Sequence, residues 1–365
     1  MTVARISNDT TTGLKWASGT ISTGTDAVLN INGGDEAYNT WKGGIIGDTM
    51  MSGGYMYVNG GATLRISHEP LALAANIIIG QDGAGGSTLE FNGQTGALGV
   101  YQSAFIRIAD TTDDAGPNRL LFSGDVTAVG TVSHGLQKAA GATNNPYIDN
   151  FGTIIRSNSG EYRSDLPIRN NSSYYPATLD LQSSFRISGN KDFTNTESYV
   201  SVYQAAGKVI LRGASSLTCQ GILMIGGDLQ TYGGEGASLS KDAGYNGNLL
   251  TMSGGTITVS ADDPSTYGKL TINGNLVWTG GTFQAYVNGG DEDERTWLDI
   301  AGNLTLGAGA HLNINSVGAL SQGNWYIPIK YGGTRTNTLT FDSGDLFSIY
   351  YDNDSKAIYI HSDFM

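Results

Sequence analysis

One stretch of this chain recurs 28 residues further on. Leu270-Thr-Ile-Asn-Gly-Asn-Leu-Val-Trp-Thr-Gly-Gly aligns with Leu298-Asp-Ile-Ala-Gly-Asn-Leu-Thr-Leu-Gly-Ala-Gly, and the leucines, the isoleucine, the Gly-Asn pair and the last glycine are unchanged. Each copy consists of short strands separated by glycine turns. Such strands cannot bury their apolar faces alone, so the copies must stack along an axis and share one core.

The repeat predicts which residues lie above one another in neighbouring coils, where a coil is one turn of the solenoid. Leu276 and Leu304 occupy equivalent positions, so we expect both side chains to point into the core. Asn275 and Asn303 precede them. Stacking of like residues predicts a short asparagine ladder at this turn, in which the amides bond from coil to coil.

A third copy with the same frame begins at Leu217. In this frame Cys219 takes the place of Ile272, and Leu223 takes the place of Leu276. Cys219 is the one cysteine of the chain, which excludes an intrachain disulfide. We expect a buried strand residue here, because no basic neighbour would lower the pKa of the thiol.

Composition supports an all-β fold. The chain has 53 glycines in 365 residues, and they lie with Asn, Asp, Ser and Thr between short apolar runs. Within those runs apolar and polar residues alternate, which indicates strands with one buried face. The formal net charge of −13 repels phosphate groups and argues against general nucleic-acid binding. No apolar run approaches the roughly 18 residues of a membrane span.

The pattern predicts two domains. Residues 1–320 form the solenoid, and residues 136–205 carry irregular loops above coils that continue beneath them. Three strands are predicted inside that irregular stretch, at Gly152-Thr-Ile-Ile-Arg, Ala177-Thr-Leu-Asp-Leu and Phe185-Arg-Ile-Ser. Residues 321–365 form a C-terminal β-hairpin cap, in which Tyr351-Asp-Asn-Asp-Ser-Lys is the turn. The cap would cover the open strand edges of the last coil, where end-to-end self-association is the alternative.

These runs give the chain a family resemblance. Gly302-Asn-Leu-Thr-Leu-Gly-Ala-Gly and Met252-Ser-Gly-Gly-Thr-Ile-Thr-Val resemble the right-handed parallel β-helix passengers and autotransporter-associated strand repeats of bacterial cell-surface proteins. The resemblance extends over residues 14–320 with interruptions. It implies secretion, surface display and a partner on a cell surface or in a matrix, with carbohydrate as one candidate. Met1-Thr-Val-Ala-Arg-Ile lacks a signal-peptide core, so we expect a secreted form to be represented here without its leader.

A β-helix can also be an enzyme that acts on polysaccharides. The order Asp113-Asp114, His134, Arg186 resembles the carboxylates, histidine and basic residue of such hydrolases. The likeness departs from the pattern at two places, because no Asn-Thr-Asp element precedes the aspartates and Ser188 stands where lysine belongs. We therefore favour a non-enzymatic adhesin, matrix component or filament subunit. A carbohydrate-active enzyme, including a tailspike-like one, is the alternative.

The irregular stretch holds the candidate ligand-binding residues. Tyrosine offers rigid apolar area with a polar tip, and arginine offers planar hydrogen-bond donors, as a sugar or protein surface requires. Ordinary packing of loops is the alternative explanation for the same residues. The predicted ligand-binding residues are Tyr147, Tyr162, Arg163, Tyr174 and Tyr175.

A repeated acidic loop is the candidate metal site. Asn32-Gly-Gly-Asp-Glu-Ala-Tyr-Asn-Thr-Trp recurs as Asn288-Gly-Gly-Asp-Glu-Asp-Glu-Arg-Thr-Trp. Carboxylates are ligands that calcium prefers, although their spacing here does not match an EF-hand. We favour a structural role without any cofactor, in which the acids face solvent and Trp41 or Trp297 packs over the coil. The carboxylates of the calcium alternative are Asp35, Glu36, Asp291, Glu292 and Asp293.

The structural role of these loops predicts that a chelator leaves the melting temperature of the chain unchanged. Trp41→Ala and Trp297→Ala should each destabilise the fold by about 2 kcal/mol or more, as expected for losing a buried aromatic side chain. Thermal melts with and without EGTA measure both effects. A fall of several degrees in EGTA, restored by calcium and absent in Asp291→Ala, would make these loops metal sites.

Overall fold

The structure is a computed structural model and describes the placement of residues 15–16, 20–21, 28–32, 40–41, 45–46, 55–61, 63–66, 71–73, 76–81, 85–91, 97–100, 105–109, 116–123, 135–138, 147–157, 161–171, 177–196, 198–233, 236–263, 265, 268–288, 296–317, 320, 322–342 and 347–363. These residues form strands and turns, without a helix among them. The chain divides into two compact units, Met1–Ser201 and Val202–Met365, and each is a stack of short strands. The prediction of an all-β parallel β-helix is confirmed.

The first unit contains the strands β1 (Lys15–Trp16), β2 (Thr20–Ile21), β3 (Val28–Asn32), β4 (Thr40–Trp41), β5 (Ile45–Ile46), β6 (Tyr55–Asn59), β7 (Thr63–Ile66), β8 (Leu71–Leu73), β9 (Asn76–Ile79), β10 (Thr88–Phe91), β11 (Ala97–Val100), β12 (Phe105–Ile108), β13 (Arg119–Phe122), β14 (Gly135–Lys138), β15 (Tyr147–Asn150), β16 (Thr153–Arg156), β17 (Tyr162–Ser164), β18 (Ile168–Asn170), β19 (Thr178–Leu181), β20 (Phe185–Ile187), β21 (Lys191–Asp192) and β22 (Tyr199–Val200).

The second unit contains β23 (Val202–Gln204), β24 (Lys208–Arg212), β25 (Ser216–Cys219), β26 (Ile222–Met224), β27 (Asp228–Tyr232), β28 (Ala237–Lys241), β29 (Leu250–Thr258), β30 (Gly268–Asn273), β31 (Leu276–Asn288), β32 (Thr296–Ile300), β33 (Leu304–Val317), β34 (Trp325–Tyr331), β35 (Arg335–Thr336), β36 (Thr340–Asp342), β37 (Phe347–Asp352) and β38 (Ala357–Ser362).

In the first unit the strands form three parallel rows, and a coil contributes one strand to each row. The first row runs from β3 to β18 through every third strand, and the second runs likewise from β1 to β19. The third row runs from β2 to β20. β16, β19 and β20 are the three strands predicted within the irregular stretch, and they are confirmed. β21 and β22 form a small antiparallel hairpin outside the rows.

In the second unit the same three rows recur, but the strands of the first two rows fuse into the long strands β29, β31 and β33. The 28-residue repeat is one full coil of this unit. Leu276 lies beside Leu304 in neighbouring strands, and both side chains are fully buried, as predicted. Leu270 lies beside Leu298 in the same way.

The frame predicted for the copy at Leu217 is wrong. Leu217 pairs with Leu239, which pairs with Ile272, and Ile222 pairs with Leu250, which pairs with Leu276. Ile222 therefore takes the place assigned to Leu223, whose side chain is half-buried on the outer face. The reason is the length of the turn. Four residues separate Leu217 from Ile222, whereas three separate Ile272 from Leu276, so a gapless alignment slips by one position at Ile222 and inverts the faces of the strand.

Like residues stack above one another in the core because parallel strands pair in register. The first row of the first unit places Met56, Ile77, Ile106, Ile148 and Ile168 in one column, and each is fully buried. Burying such a side chain stabilises the fold by about 1.5 to 3 kcal/mol relative to an exposed position. The column therefore supplies much of the stability that short strands lack individually.

Aromatic side chains fill one corner of the core in the first unit. The ring of Phe122 stacks on Phe91 at 5.6 Å and meets Tyr162 at 4.8 Å and Phe185 at 5.3 Å. Arg156 follows Phe122 in the second row and is fully buried. Its Nη1 donates to the carbonyl oxygen of Phe122 at 3.0 Å, and its guanidinium lies 5.7 Å from the ring of Tyr162. Hydrogen bonding and the aromatic face compensate the desolvation of this charge.

Asparagines bond from coil to coil at two kinds of position. In the core of the first unit, Asn150 Nδ2 donates to Asn170 Oδ1 at 2.7 Å. At the surface of the second unit, the backbone N–H of Asn303 donates to Asn275 Oδ1 at 3.0 Å, and Thr334 N–H donates to Asn303 Oδ1 at 2.8 Å. The predicted ladder at Asn275 and Asn303 thus exists, but each amide oxygen bonds to the backbone of the next coil rather than to another amide.

The C-terminal end changes from parallel to antiparallel pairing. β34 still pairs in parallel with β32, and β35 and β36 pair in parallel with β33. Only β38 and β37 are antiparallel, with β38 between β34 and β37. The hairpin turn predicted at residues 351–356 is confirmed, and Asp352 Oδ1 accepts the backbone N–H of Asp354 at 2.8 Å. The parallel rows thus extend to β36, beyond the boundary at 320 that the sequence predicts.

The register predicts unequal effects for two adjacent residues of β31. Leu276→Ala should lower the free energy of unfolding by about 2 to 5 kcal/mol, because it leaves a cavity between stacked side chains. Val277 is half-buried on the outer face, so Val277→Ala should cost less than about 1 kcal/mol. Urea unfolding monitored by circular dichroism measures both values, and equal losses would contradict the assigned faces.

Candidate functional site

Two clusters of side chains on the outer faces are candidate sites, one in each unit. The first is an arginine–tyrosine cluster on the first row of the first unit. Strand alternation creates it, because Ile106 and Ile108 point inward and so turn Phe105 and Arg107 outward. Register then places residues of neighbouring coils beside them. The cluster comprises Phe105, Arg107, Tyr147, Asp149, Arg169, Lys191 and Phe193.

A fully buried carboxylate organises this cluster. Asp149 accepts two hydrogen bonds from Arg169, at 2.8 Å from Nε and 2.7 Å from Nη2. Arg107 approaches from the coil on the other side, with Nη2 at 3.4 Å from Asp149 Oδ2. A bidentate pair of this kind is among the stronger hydrogen-bonded interactions in proteins. It satisfies the buried charge and fixes both guanidinium groups on the surface.

Aromatic rings surround the charges of the arginine–tyrosine cluster. Tyr147 lies 6.4 Å from Phe105, and Phe193 meets Tyr147 edge-on at 5.8 Å. The guanidinium of Arg169 lies 5.6 Å from the Tyr147 ring, and Lys191 Nζ lies 4.9 Å from it. Burial and the neighbouring Arg169 charge lower the pKa of Lys191, and Asp192 acts in the opposite direction. The result is a rigid patch whose charged groups hold one another.

The second candidate is a cap aromatic cluster on the outer face of β34, β37 and β38. Trp325 contacts Tyr350 at 4.9 Å and His361 at 4.6 Å between ring centroids. Tyr359 meets Trp325 edge-on at 6.3 Å. Trp325 is 40% exposed and Tyr350 is 47% exposed. Antiparallel register brings the rings together, because it pairs Trp325 with His361 and Tyr350 with Tyr359.

Polar groups hold the edge of the cap aromatic cluster. His361 Nδ1 lies 2.7 Å from Asp363 Oδ1, and Ser348 Oγ donates to Asp363 Oδ2. The Ser348 hydrogen bond, followed by that of His361, lowers the pKa of the Asp363 carboxyl below its usual value. On the other side, Tyr359 OH donates to Ser355 Oγ at 3.0 Å. The cluster therefore combines exposed aromatic faces with an ionised hydrogen-bond acceptor.

The three predicted ligand-binding residues that the structure describes, Tyr147, Tyr162 and Arg163, lie in different places. Tyr147 lies in the arginine–tyrosine cluster, whereas Tyr162 is buried in the core, where it packs against Phe122. Its assignment to a binding surface is wrong, because β17 alternates with Tyr162 and Ser164 inward and Arg163 outward. Arg163 pairs with Asp165 of its own coil at 3.4 Å. Tyr174 and Tyr175 lie outside the described residues.

Of the four candidate catalytic residues, the structure describes Arg186. Arg186 points outward from β20 and pairs with Glu161 of the preceding coil, with 3.4 Å between Nη1 and Oε1. Asp113, Asp114 and His134 lie outside the described residues. Arg186 thus takes part in an ion pair between coils, and its position relative to the two aspartates stays a prediction.

The acidic loops of the predicted metal site, with Asp35, Glu36, Asp291, Glu292 and Asp293, also lie outside the described residues. In the part of the chain that is described, no three His, Cys, Asp or Glu side chains converge as metal ligands would. Trp297 is half-buried on the outer face of β32, between two lysines. The Nζ of Lys330 lies 4.4 Å from its ring and that of Lys269 lies 5.5 Å away. The predicted packing of Trp297 over the coil therefore takes the form of a lysine–tryptophan–lysine stack.

Most members of both clusters were not predicted from the sequence. Alternation within β37 and β38 would have placed Tyr350, Tyr359 and His361 outward, which was an available signal. Their contact with Trp325 was not available, since it depends on which strand pairs with which. Arg107 and Arg169 likewise become neighbours of Asp149 only through stacking of coils that differ in length.

No protein-family model matches this chain, and no curated protein matches its sequence. Within the described residues, no helix has the length and apolar character needed to cross a membrane. The residues therefore carry the functional argument themselves.

Two buried acids predict how stability depends on pH. Burial raises the pKa of the Cys219 thiol from 9.0 to about 12, and burial also raises the pKa of the Tyr162 hydroxyl. A folded-state pKa above the unfolded value contributes stability that is complete below the unfolded pKa and is lost as pH rises toward the folded one. We expect the free energy of unfolding to fall as the pH rises above about 9.

Urea unfolding at a series of alkaline pH values measures this loss. Cys219→Ala and Tyr162→Phe should each reduce the slope, because each variant removes one of the titrating groups. As a separate check, the folded protein at pH 8 should react with a thiol reagent only when it opens. Rapid labelling of the folded chain would contradict the burial of Cys219.

Proposed function

We propose that this chain is a non-enzymatic, extracellular β-solenoid with a structural or adhesive role, as a cell-surface adhesin, a matrix component or a filament subunit. One observation carries the proposal. Ion pairs join charged side chains on the outer faces, and most of these pairs bridge neighbouring coils. These pairs are Arg107 and Arg169 with Asp149, Arg163 with Asp165, Arg186 with Glu161, and Lys269 with Asp299.

This use of charge differs from that of a hydrolytic centre. General acid and base catalysis needs carboxyl groups whose pKa values are shifted apart around a cleft. Asp149 instead holds a bidentate arginine of the next coil, and Glu161 and Asp299 also pair with basic side chains of neighbouring coils. Such a surface is suited to persistence and display. The formal charge of −13 adds solubility outside the cell and favours no polyanionic partner.

The exposed aromatic rings support the adhesive form of the proposal. Soluble proteins keep few large aromatic side chains exposed in mutual contact, and such patches commonly mark interaction sites. Trp325 and Tyr350 form such a patch on the cap. A cell-surface or matrix partner would dock there, and end-to-end association through the C-terminal strands is the route to a filament subunit.

An activity assay distinguishes the proposed non-enzymatic function from that of a carbohydrate-active enzyme. The full chain is incubated with a panel of neutral and acidic polysaccharides, and reducing ends and unsaturated products are measured over time. We expect product at the level of the buffer control. Depolymerisation that is lost in Asp113→Ala, Asp114→Ala or His134→Ala would overturn the proposal and make the chain a carbohydrate-active enzyme.

A further inference from the structure

The cap aromatic cluster is exposed in a way that its own packing does not require. Trp325 and Tyr350 are two of the four large apolar side chains that are exposed among the described residues, and they are in contact with one another. The other two, Tyr199 and Ile225, lie singly in the first and second units. Single exposed apolar residues are ordinary, whereas a contiguous pair on one face calls for a partner.

The rings are held in place before any partner arrives. Three strands supply them, and the backbone pairing of those strands fixes the spacing of Trp325, Tyr350 and Tyr359. Asp363 holds the His361 ring at 2.7 Å, and Tyr359 is held by its hydrogen bond to Ser355. A site that is already rigid loses little conformational entropy on binding.

The chemistry of the cluster selects the class of partner. The face of an aromatic ring is apolar and slightly negative, so it attracts the C–H groups on the flat face of a sugar ring. Sugar hydroxyl groups need hydrogen-bond acceptors beside that face. Asp363 supplies an ionised carboxylate beside His361, whose ring contacts Trp325, and Tyr350 adds a hydroxyl group from the strand that pairs with β38.

Charge further restricts the class of sugar that this cluster can bind. The carboxylate of Asp363 is the acid beside the rings, and the whole chain carries a formal charge of −13. Uronic acids and sulfated sugars would meet like charge both locally and at long range. A sugar chain without acidic groups meets no such repulsion and can still donate hydroxyl protons to the carboxylate.

We propose that the cap aromatic cluster is a binding site for a neutral glycan, in which a sugar ring stacks on Trp325 and Tyr350 while its hydroxyl groups donate to Asp363. The site deepens the adhesive role proposed above and rests on it. It assigns the recognition of carbohydrate to the C-terminal strands rather than to the tyrosines of residues 147–175.

Affinity electrophoresis of the full chain tests the site. Native gels contain one of four polysaccharides: hydroxyethylcellulose, galactomannan or glycogen as neutral probes, and polygalacturonate as the acidic probe. We expect slower migration in at least one neutral gel and unchanged migration in polygalacturonate. Trp325→Ala and Tyr350→Ala should each weaken the apparent affinity by about tenfold or more, as for a central aromatic contact. Asp363→Asn should weaken it less.

Tyr199→Ala is the matched control, because Tyr199 is 53% exposed and lies in the other unit. It should migrate as the unmodified chain does. A thermal melt of each variant shows that the fold is intact, and Tyr350→Ala serves if Trp325→Ala does not fold. Normal migration in all three neutral gels, retardation by polygalacturonate alone, or retardation that persists in both aromatic variants would overturn the site.

The outcomes distinguish this site from the function on which it rests. Retardation that survives both aromatic variants, without new reducing ends, removes the site and leaves an adhesive solenoid. Formation of reducing ends from the retarding polysaccharide removes the non-enzymatic function instead. Loss of retardation in both aromatic variants, with no product formed, supports both the glycan site and the non-enzymatic adhesive function.

Discussion

Parallel pairing between successive coils is the constraint on which the rest of this structure depends. Because each strand lies in register with the strand one coil earlier, every inward residue must fit above a residue of similar size. The column from Met56 to Ile168 meets this requirement with unbranched or β-branched aliphatic side chains. Polar side chains of the core also lie above one another in successive coils, and Asn150 bonds to Asn170 in this way.

The register also dictates what the surface can carry. Residues of adjacent coils lie directly beside one another, so opposite charges or aromatic faces next to cations stabilise the outer faces. Where register instead places Arg163 beside Arg186, each arginine has a carboxylate partner, Asp165 and Glu161 respectively. Arg107, Asp149 and Arg169 form one such row, and Lys269, Trp297 and Lys330 lie together on another face. Rigid surfaces of this kind arise from the fold itself. The C-terminal hairpin differs because antiparallel pairing brings aromatic residues from distant parts of the sequence onto one face.

The sequence predicts this fold well wherever the information is local. Alternation and glycine turns identify the strands, and turn chemistry identifies the hairpin at Asp352. The 28-residue repeat even gives the pairing of Leu276 with Leu304, because no residue is inserted between the copies. Prediction fails where a turn changes length, as before Ile222, since one additional residue inverts the faces of the next strand. It fails equally at Tyr162, where only the alternation of a three-residue strand separates core from surface. The two side-chain clusters could not be predicted, because they depend on which strands pair. Alternation of apolar and polar residues carries no information about that pairing.

Coils of this protein differ widely in length while their strands stay in register. One coil takes 20 residues from Asn150 to Asn170, whereas another takes 42 from Arg107 to Asp149. The free energy of closing a longer connection grows only slowly with its length. New peptide segments can therefore be grafted between strands without rebuilding the core, in nature by insertion and in the laboratory by design. In a solenoid of this kind the exposed connecting segments can vary in sequence and length while the stacked core stays the same.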